Sequence, residues 1–186
     1  TLEEVDQLIT VLEGLKSDAE KGDFVIEDEF EDMHSKIEYV LTKKLGDLGK
    51  KIHTARSRND QVLAALHLYL KAEIKTLKGL TLDFFKLLMD LAEQHKDKLL
   101  PGYTHFQVAM PSSFGLWFSA YAESLIDDVT LLNAAHKIVD QNPLGSAAGY
   151  GSSFNIDRKA TTFLLDFADL KYNVIAAQMS RGKAEK

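Results

Sequence analysis

The chain has no cysteine. Disulfide frameworks, thiolate metal sites and cysteine nucleophiles are therefore excluded, and a reducing cytosolic setting is expected. A basic surplus is also missing. Twenty-two lysines and arginines against 28 aspartates and glutamates give a formal net charge of -6. That balance excludes wholesale electrostatic attraction to nucleic acid. No apolar run approaches the ~20 residues of a membrane-spanning helix, so no membrane partner is expected. Thr1 opens no signal-peptide pattern. Strand-type alternation and internal repeats are absent. Proline is scarce: Pro101, Pro111 and Pro143 are the only three, and each falls where a helical pattern breaks or resumes. What remains is a globular composition, 45% apolar and 27% charged, in 186 residues. That length suits one domain or one and a half.

The dominant signal is helical periodicity. Leu2, Val5, Leu8, Ile9, Leu12 and Leu15 form one face of a helix over residues 1–20. Thr1 and Glu4 have capping-box spacing, and Lys21-Gly22-Asp23 ends the segment. Residues 24–30 read as a loop. A second helix follows, with Asp32 or Ser35 as its cap and Met33, Ile37, Val40, Leu41 and Leu45 as its apolar stripe. From Asn59 to about His95 the pattern is nearly unbroken, with Gly79 its one weak point. A helix of that length spans roughly 50 Å, which points to a bundle. Residues 98–110 are expected to form a connecting loop. Pro111 fits the first turn of another long helix running to about Gln141, where Asn142-Pro143 stops it. A short helix is expected from Asp157 to about Leu170, with Phe163, Leu164 and Phe167 inward.

Against this regular background, His53-Thr54-Ala55-Arg56-Ser57-Arg58-Asn59-Asp60-Gln61 stands out. Only Ala55 is apolar in nine residues. Arg56 and Arg58 carry planar forks of donors matched to a carboxylate or phosphate, and Ser57 and Asn59 add neutral hydrogen-bonding groups. Asn59 or Asp60 is placed to cap the long helix. A polar loop with a cap would explain those last two residues, but not the two arginines, serine and histidine before them. With Lys43, Lys44, Lys50 and Lys51, the arginines make a local basic patch on an acidic body.

Thr104-His105 forms a second constellation in the segment joining the two long helices. An imidazole titrates near neutral pH and serves as acid or base. A histidine plugging the helix junction is the plainer alternative, and the donor-rich run tips the balance toward chemistry. The stretch Gly145-Ser146-Ala147-Ala148-Gly149-Tyr150-Gly151-Ser152-Ser153 lacks the lysine of a phosphate loop. It reads instead as a connector allowing close helix packing.

The run from His53 to Gln61 resembles the arginine-serine-arginine-asparagine motif of the argininosuccinate lyase and delta-crystallin family. Pro101-Gly102-Tyr103-Thr104-His105, followed by Gln107 and Pro111, is similar to that family's threonine-histidine motif. Glu31-Asp32-Met33-His34-Ser35 resembles its acidic-histidine segment. Residues 142–151 resemble the segment after its first long bundle helices. Four motifs in the same order cover nearly the whole chain.

The resemblance implies an all-α fold of the fumarase/aspartase superfamily, a long helical bundle. Residues 1–56 would be the end of an amino-terminal helical domain, and residues 57–186 the first part of the central bundle domain. It further implies a cytoplasmic homotetramer in arginine biosynthesis, with sites shared between subunits. The reaction would be cleavage of argininosuccinate to arginine and fumarate, with no metal and no organic cofactor. His105 matches the acid/base histidine. Ser57, Asn59 and Thr104 match substrate-contacting positions, Arg58 lies adjacent, and Asp32 and His34 match positions near the substrate.

One departure matters. The family's catalytic serine lies in a Gly-Ser-Ser-x-Met-Pro-x-Lys-x-Asn loop. Gly151-Ser152-Ser153 is followed here by Phe154-Asn155-Ile156-Asp157, without Met-Pro or the lysine. The chain is accordingly expected to be an internal fragment, inactive alone, with the serine loop beyond Lys186. A non-catalytic crystallin-like protein, another lyase of the superfamily (adenylosuccinate lyase, fumarase, aspartase) and an unrelated helical interaction module remain the alternatives.

Overall fold

The computed structural model describes residues 1–184. Two long helices organise it. Helix α4 (Arg58–Gln94) and helix α5 (Phe114–Val139) run antiparallel. At 37 residues, α4 is about 55 Å long. Gly79 does not break it. Smaller elements lie before and after this pair. They are α1 (Leu2–Lys21), α2 (Met33–Leu45), α3 (Asp47–Lys50) with a 3-10 turn to His53, and α6 (Arg158–Leu164) and α7 (Val174–Met179).

Local chemistry sets these boundaries. Thr1 and Glu4 form the capping box of α1, and Gly22 closes it with a left-handed φ of 81°. Asp32 caps α2 by accepting from the Ser35 amide at 2.9 Å. Each cap satisfies a backbone donor that the first turn leaves without a partner.

The segment between α4 and α5 is not the expected loop. It is an antiparallel hairpin, β1 (Leu99–Thr104) with β2 (Gln107–Ser113). Pro111 belongs to β2, opposite Pro101, and α5 begins at Phe114 with Ser113 as its cap. Period-2 patterning missed the hairpin because both faces of its strands are largely exposed, so no alternation of buried and exposed positions was imposed on the sequence. A two-residue parallel pair, β3 (Gln141–Asn142) with β4 (Asp169–Leu170), ties the end of α5 to the later segment. Among the described residues helix is otherwise the dominant regular structure, as the periodicity predicts.

The α4–α5 pair closes tightly at the hairpin end. A Cβ on Gly115 would lie 2.7 Å from Lys96 Cα and 2.9 Å from the Ala92 carbonyl oxygen, so only glycine permits this approach. At the opposite end Lys71 pairs with Asp140 at 2.6 Å, and His67, buried, bonds the Gln141 carbonyl through Nδ1 at 3.1 Å. Leu63, Ile74 and Leu88 of α4 are buried with Ala122 and Val139 of α5.

Much of the expected apolar face is bare. Leu77 and Phe84 of α4, Trp117 and Tyr121 of α5, and Met33 of α2 are exposed. A groove of about 500 Å³ runs between the two long helices, lined by Leu82, Phe85, Leu125, Ile126 and Val129. Helix α6 ends at Leu164, well short of Leu170. Phe163 and Leu164 face outward, 84% and 77% exposed, and only Phe167 is buried. The inward assignment fails for the first two because nothing among the described residues packs on that side of α6. No helix among the described residues is long and apolar enough to cross a membrane.

Candidate functional site

The donor-rich run folds into a tight approach to α4. After the 3-10 turn, Ala55 takes a positive φ of 59°, and Ser57 becomes the extended cap residue. The cap is therefore Ser57, not Asn59 or Asp60. Ser57 and Asp60 form a reciprocal capping box, in which the Ser57 amide donates to Asp60 Oδ1 at 2.9 Å. A serine followed three residues later by an acid carries that signal in the sequence. Asn59, the second residue of the helix, is exposed.

Arg58 points back to the cap of α2. Its Nη1 donates to Ser35 Oγ at 2.7 Å, Glu31 Oε2 at 3.1 Å and Asp32 Oδ2 at 3.2 Å. Gln61 Nε2 lies 3.0 Å from His34 Nδ1. The acidic-histidine segment and the arginine-serine-arginine run, 20 residues apart in sequence, thus form one cluster. It gathers Asp32, His34, Ser57, Arg58 and Asn59. The Ser35 amide hydrogen bond lowers the Asp32 carboxyl below its ordinary range, against opposing desolvation, with help from the Ser35 hydroxyl and Arg58. Asp32 is therefore held as the anion that Arg58 needs.

Arg56 turns the other way. Burial lowers its pKa, opposed by the charges of Asp60 and Glu38. It lines a cavity of about 300 Å³ with Thr54, Gly145, Asp157 and Arg158. The lysines of the expected basic patch are largely engaged elsewhere. Lys50 pairs with Asp47, Lys51 with Glu4, and Lys43 lies over the Tyr39 ring. The local positive character is thus partly neutralised within the fold.

His105 lies far from this cluster. Thr104 pairs with Gln107 across the hairpin, leaving His105 and Phe106 as a two-residue turn. Both take positive φ, 48° and 60°, as a primed hairpin turn requires. Thr104 and His105 are exposed, and Phe106 is wholly so. Asn59 starts α4, whereas the hairpin leaves from its far end, about 55 Å away. The six residues of β1 reach at most about 20 Å. Even a hairpin folded back along the bundle would leave roughly 30 Å between His105 and Asn59. The structure therefore brings five of the seven expected site residues together and keeps Thr104 and His105 apart from them.

Sequence reasoning missed what lies beneath the cluster. Asp60 is fully buried and also accepts from the Gly145 and Ala147 amides, each at 2.9 Å. The connector therefore packs on the start of α4. A small polar residue at position 3 of the helix signalled the cap but not these two distant partners. Ser152 accepts from the Phe154 amide in an exposed turn. No group of three or more histidines, aspartates or glutamates arranged to hold a metal occurs among the described residues.

Comparison with known proteins places this geometry in context. A family model described as "Lyase" matches residues 1–181. Argininosuccinate lyases from Phocaeicola vulgatus and Parabacteroides distasonis are 56% and 55% identical over 186 residues, covering 100% of this chain and 42% of each relative. One from Stenotrophomonas maltophilia is 46% identical over 183 residues, covering 98% of this chain and 42% of the relative. The chain thus spans less than half the length of these curated relatives. Among solved structures, an EDDS lyase variant with bound fumarate superposes with a TM-score of 0.84 at 24% identity. The match covers 95% of this chain and 34% of that one. At that identity the likeness concerns the fold.

Proposed function

Because this chain belongs to the lyase family whose model spans residues 1–181, we propose that it is part of an argininosuccinate lyase, which splits argininosuccinate into arginine and fumarate. The observation that carries this reading is the cluster at the start of α4. An exposed asparagine and a capping serine stand on a braced, donor-rich turn, in a chain 56% identical along its whole length to an enzyme of that name. In this reading residues 1–56 close an amino-terminal domain and residues 57–186 begin the bundle.

The chemistry assigns work to each group. A proton leaves the carbon next to a carboxylate, and the carboxylate becomes a doubly charged aci form. Neutral donors aimed at that charge lower the barrier; one such donor contributes ~3 kcal/mol. Ser57, Asn59 and Thr104 fill that role, with Asp32, His34 and Arg58 bracing the turn beside the substrate. The carbon–nitrogen bond then breaks, and the departing guanidino nitrogen takes a proton from a general acid. His105 is that acid/base group. The base on the opposite face is a serine supplied from outside this sequence. No metal or organic cofactor enters.

In this reading His105 and Asn59, separated within one chain, meet between chains. The bare faces of α4 and α5 suit the shared bundle of a homotetramer, in which one subunit's hairpin reaches another's α4 turn. The partners are thus further copies of the chain and a small-molecule substrate, in the cytoplasm, with neither nucleic acid nor membrane. The test is fumarate release from argininosuccinate by the complete protein, with adenylosuccinate, aspartate and malate as competing substrates. Release from argininosuccinate alone supports the reading. No release, or preference for another substrate, refutes it.

A further inference from the structure

Asp60 is fully buried. A carboxylate in that position is costly unless its lone pairs are used. Three backbone amides use them. Ser57 N donates to Oδ1, and Gly145 N and Ala147 N both donate to Oδ2, all at 2.9 Å. Capping α4 requires only the first. The other two come from 85 and 87 positions further along the chain. The positive charges of Arg56 and Arg158 also act on the same carboxylate through space.

The connector that donates to Asp60 is itself fixed. Arg158 Nε donates to the Leu144 carbonyl at 2.9 Å, and its Nη2 to the Lys171 carbonyl at 2.8 Å. Buried Asn142 accepts from the Leu144 amide at 2.9 Å and donates to the Thr161 and Thr162 hydroxyls at 3.0 Å. Gln178 Nε2 donates to Ser146 Oγ at 2.9 Å. Gly145 has φ +90°, and a Cβ there would lie 2.8 Å from Arg158 Cγ. Backbone and contacts both demand glycine, so the amide aimed at Asp60 has little freedom.

We propose that Asp60 is a positioning residue for the reaction, acting through the Ser57–Asn59 turn. One oxygen holds the turn, and the other anchors it to the connector from Leu144 to Ala147. Ser57 and Asn59 thereby face substrate from a template assembled by α6, α7 and the β3–β4 pair. This rests on the substrate-facing role given to Ser57 and Asn59 above. A cap alone leaves two of the three hydrogen bonds unexplained.

The test compares two variants of the complete protein. In Asp60→Asn the side chain keeps one acceptor oxygen and turns an NH2 group toward at least one of the three amides. Leu15→Ala serves as control. It removes a buried side chain of α1, beside Val40 of α2 and outside the turn and its connector. Asp60→Asn should lower kcat/KM for argininosuccinate about 100-fold, the scale of a 1 Å misplacement. Leu15→Ala should stay within about twofold of wild type in kcat/KM while lowering Tm, because Leu15 lies outside the proposed site. Equal loss per degree of Tm in the two variants would overturn the proposal, as would wild-type kcat/KM in Asp60→Asn.

Should Asp60→Asn not fold, Gln178→Ala removes a support of the connector with the carboxylate intact. It should lower kcat/KM about tenfold with little change in Tm. Unchanged kcat/KM in that variant would overturn the anchor. If the complete wild-type protein does not cleave argininosuccinate, the functional reading fails and amide exchange judges the anchor. Faster exchange confined to residues 57–60 and 144–147 in Asp60→Asn supports it. Uniform acceleration along the chain overturns it.

Discussion

Replacing Asp32 by alanine in the complete protein should cost about 1.5 kcal/mol of stability at neutral pH. The larger part is the cap: Asp32 accepts from the Ser35 amide at 2.9 Å, and loss of such a cap typically costs about 1 kcal/mol. The smaller part is the ion pair with Arg58 at 3.2 Å. Both side chains are about one-third exposed, and Glu31 and Ser35 remain as partners for Arg58, so this contributes only about 0.5 kcal/mol. The pH dependence follows from the Asp32 carboxyl. The Ser35 amide holds its pKa below the ordinary value of 3.8 against desolvation, with the Ser35 hydroxyl and Arg58 adding to the effect. The unfolded chain binds this proton first as pH falls. The stabilisation is therefore present above the ordinary value and is lost as pH drops through the depressed one. Denaturant midpoints of wild type and Asp32→Ala, measured from neutral pH to pH 3, should differ by a constant amount down to about pH 5 and converge below pH 4. A difference that widens on acidification, or none at neutral pH, would refute the reasoning.

Two further variants probe the strained turns. Ala55 holds φ at 59°, so Ala55→Gly should raise stability by about 0.5–1 kcal/mol, as the left-handed cost outweighs the entropy of glycine; a lower Tm would contradict this. His105→Asn combined with Phe106→Gly installs the preferred residues of a primed turn. It should leave the hairpin about 1 kcal/mol more stable while abolishing fumarate release, and retained turnover would remove His105 from the mechanism.

The sequence exposed the long helices because α4 and α5 each carry many turns of one apolar period, and propensity accumulates over such lengths. It exposed the cluster of Asp32, His34, Ser57, Arg58 and Asn59 only as two motifs. Their meeting depends on Arg58 crossing to the α2 cap, a contact with no local signature. The hairpin escaped because Leu99, Tyr103, Phe106, Val108 and Met110 are all exposed in this chain, so neither burial nor alternation shaped their order. Phe163 and Leu164 depart from the expectation for the converse reason: an apolar residue on a short helix reads as core, whereas the fold leaves both bare. Asp60 was legible as a helix-start residue but not as the anchor of a connector 85 positions away, since nothing in a sequence announces a backbone donor.

The proposed site draws Asn59 and His105 from different chains. Asn59→Ala and His105→Ala forms of the complete protein, carrying different tags, would be dissociated, mixed and reassembled. Fumarate release would then be measured on doubly tagged oligomers. Each variant alone should be inactive, and the mixed oligomers should regain activity, because some sites then combine an intact Asn59 from one chain with an intact His105 from another. Mixed oligomers as inactive as their parents would contradict the account.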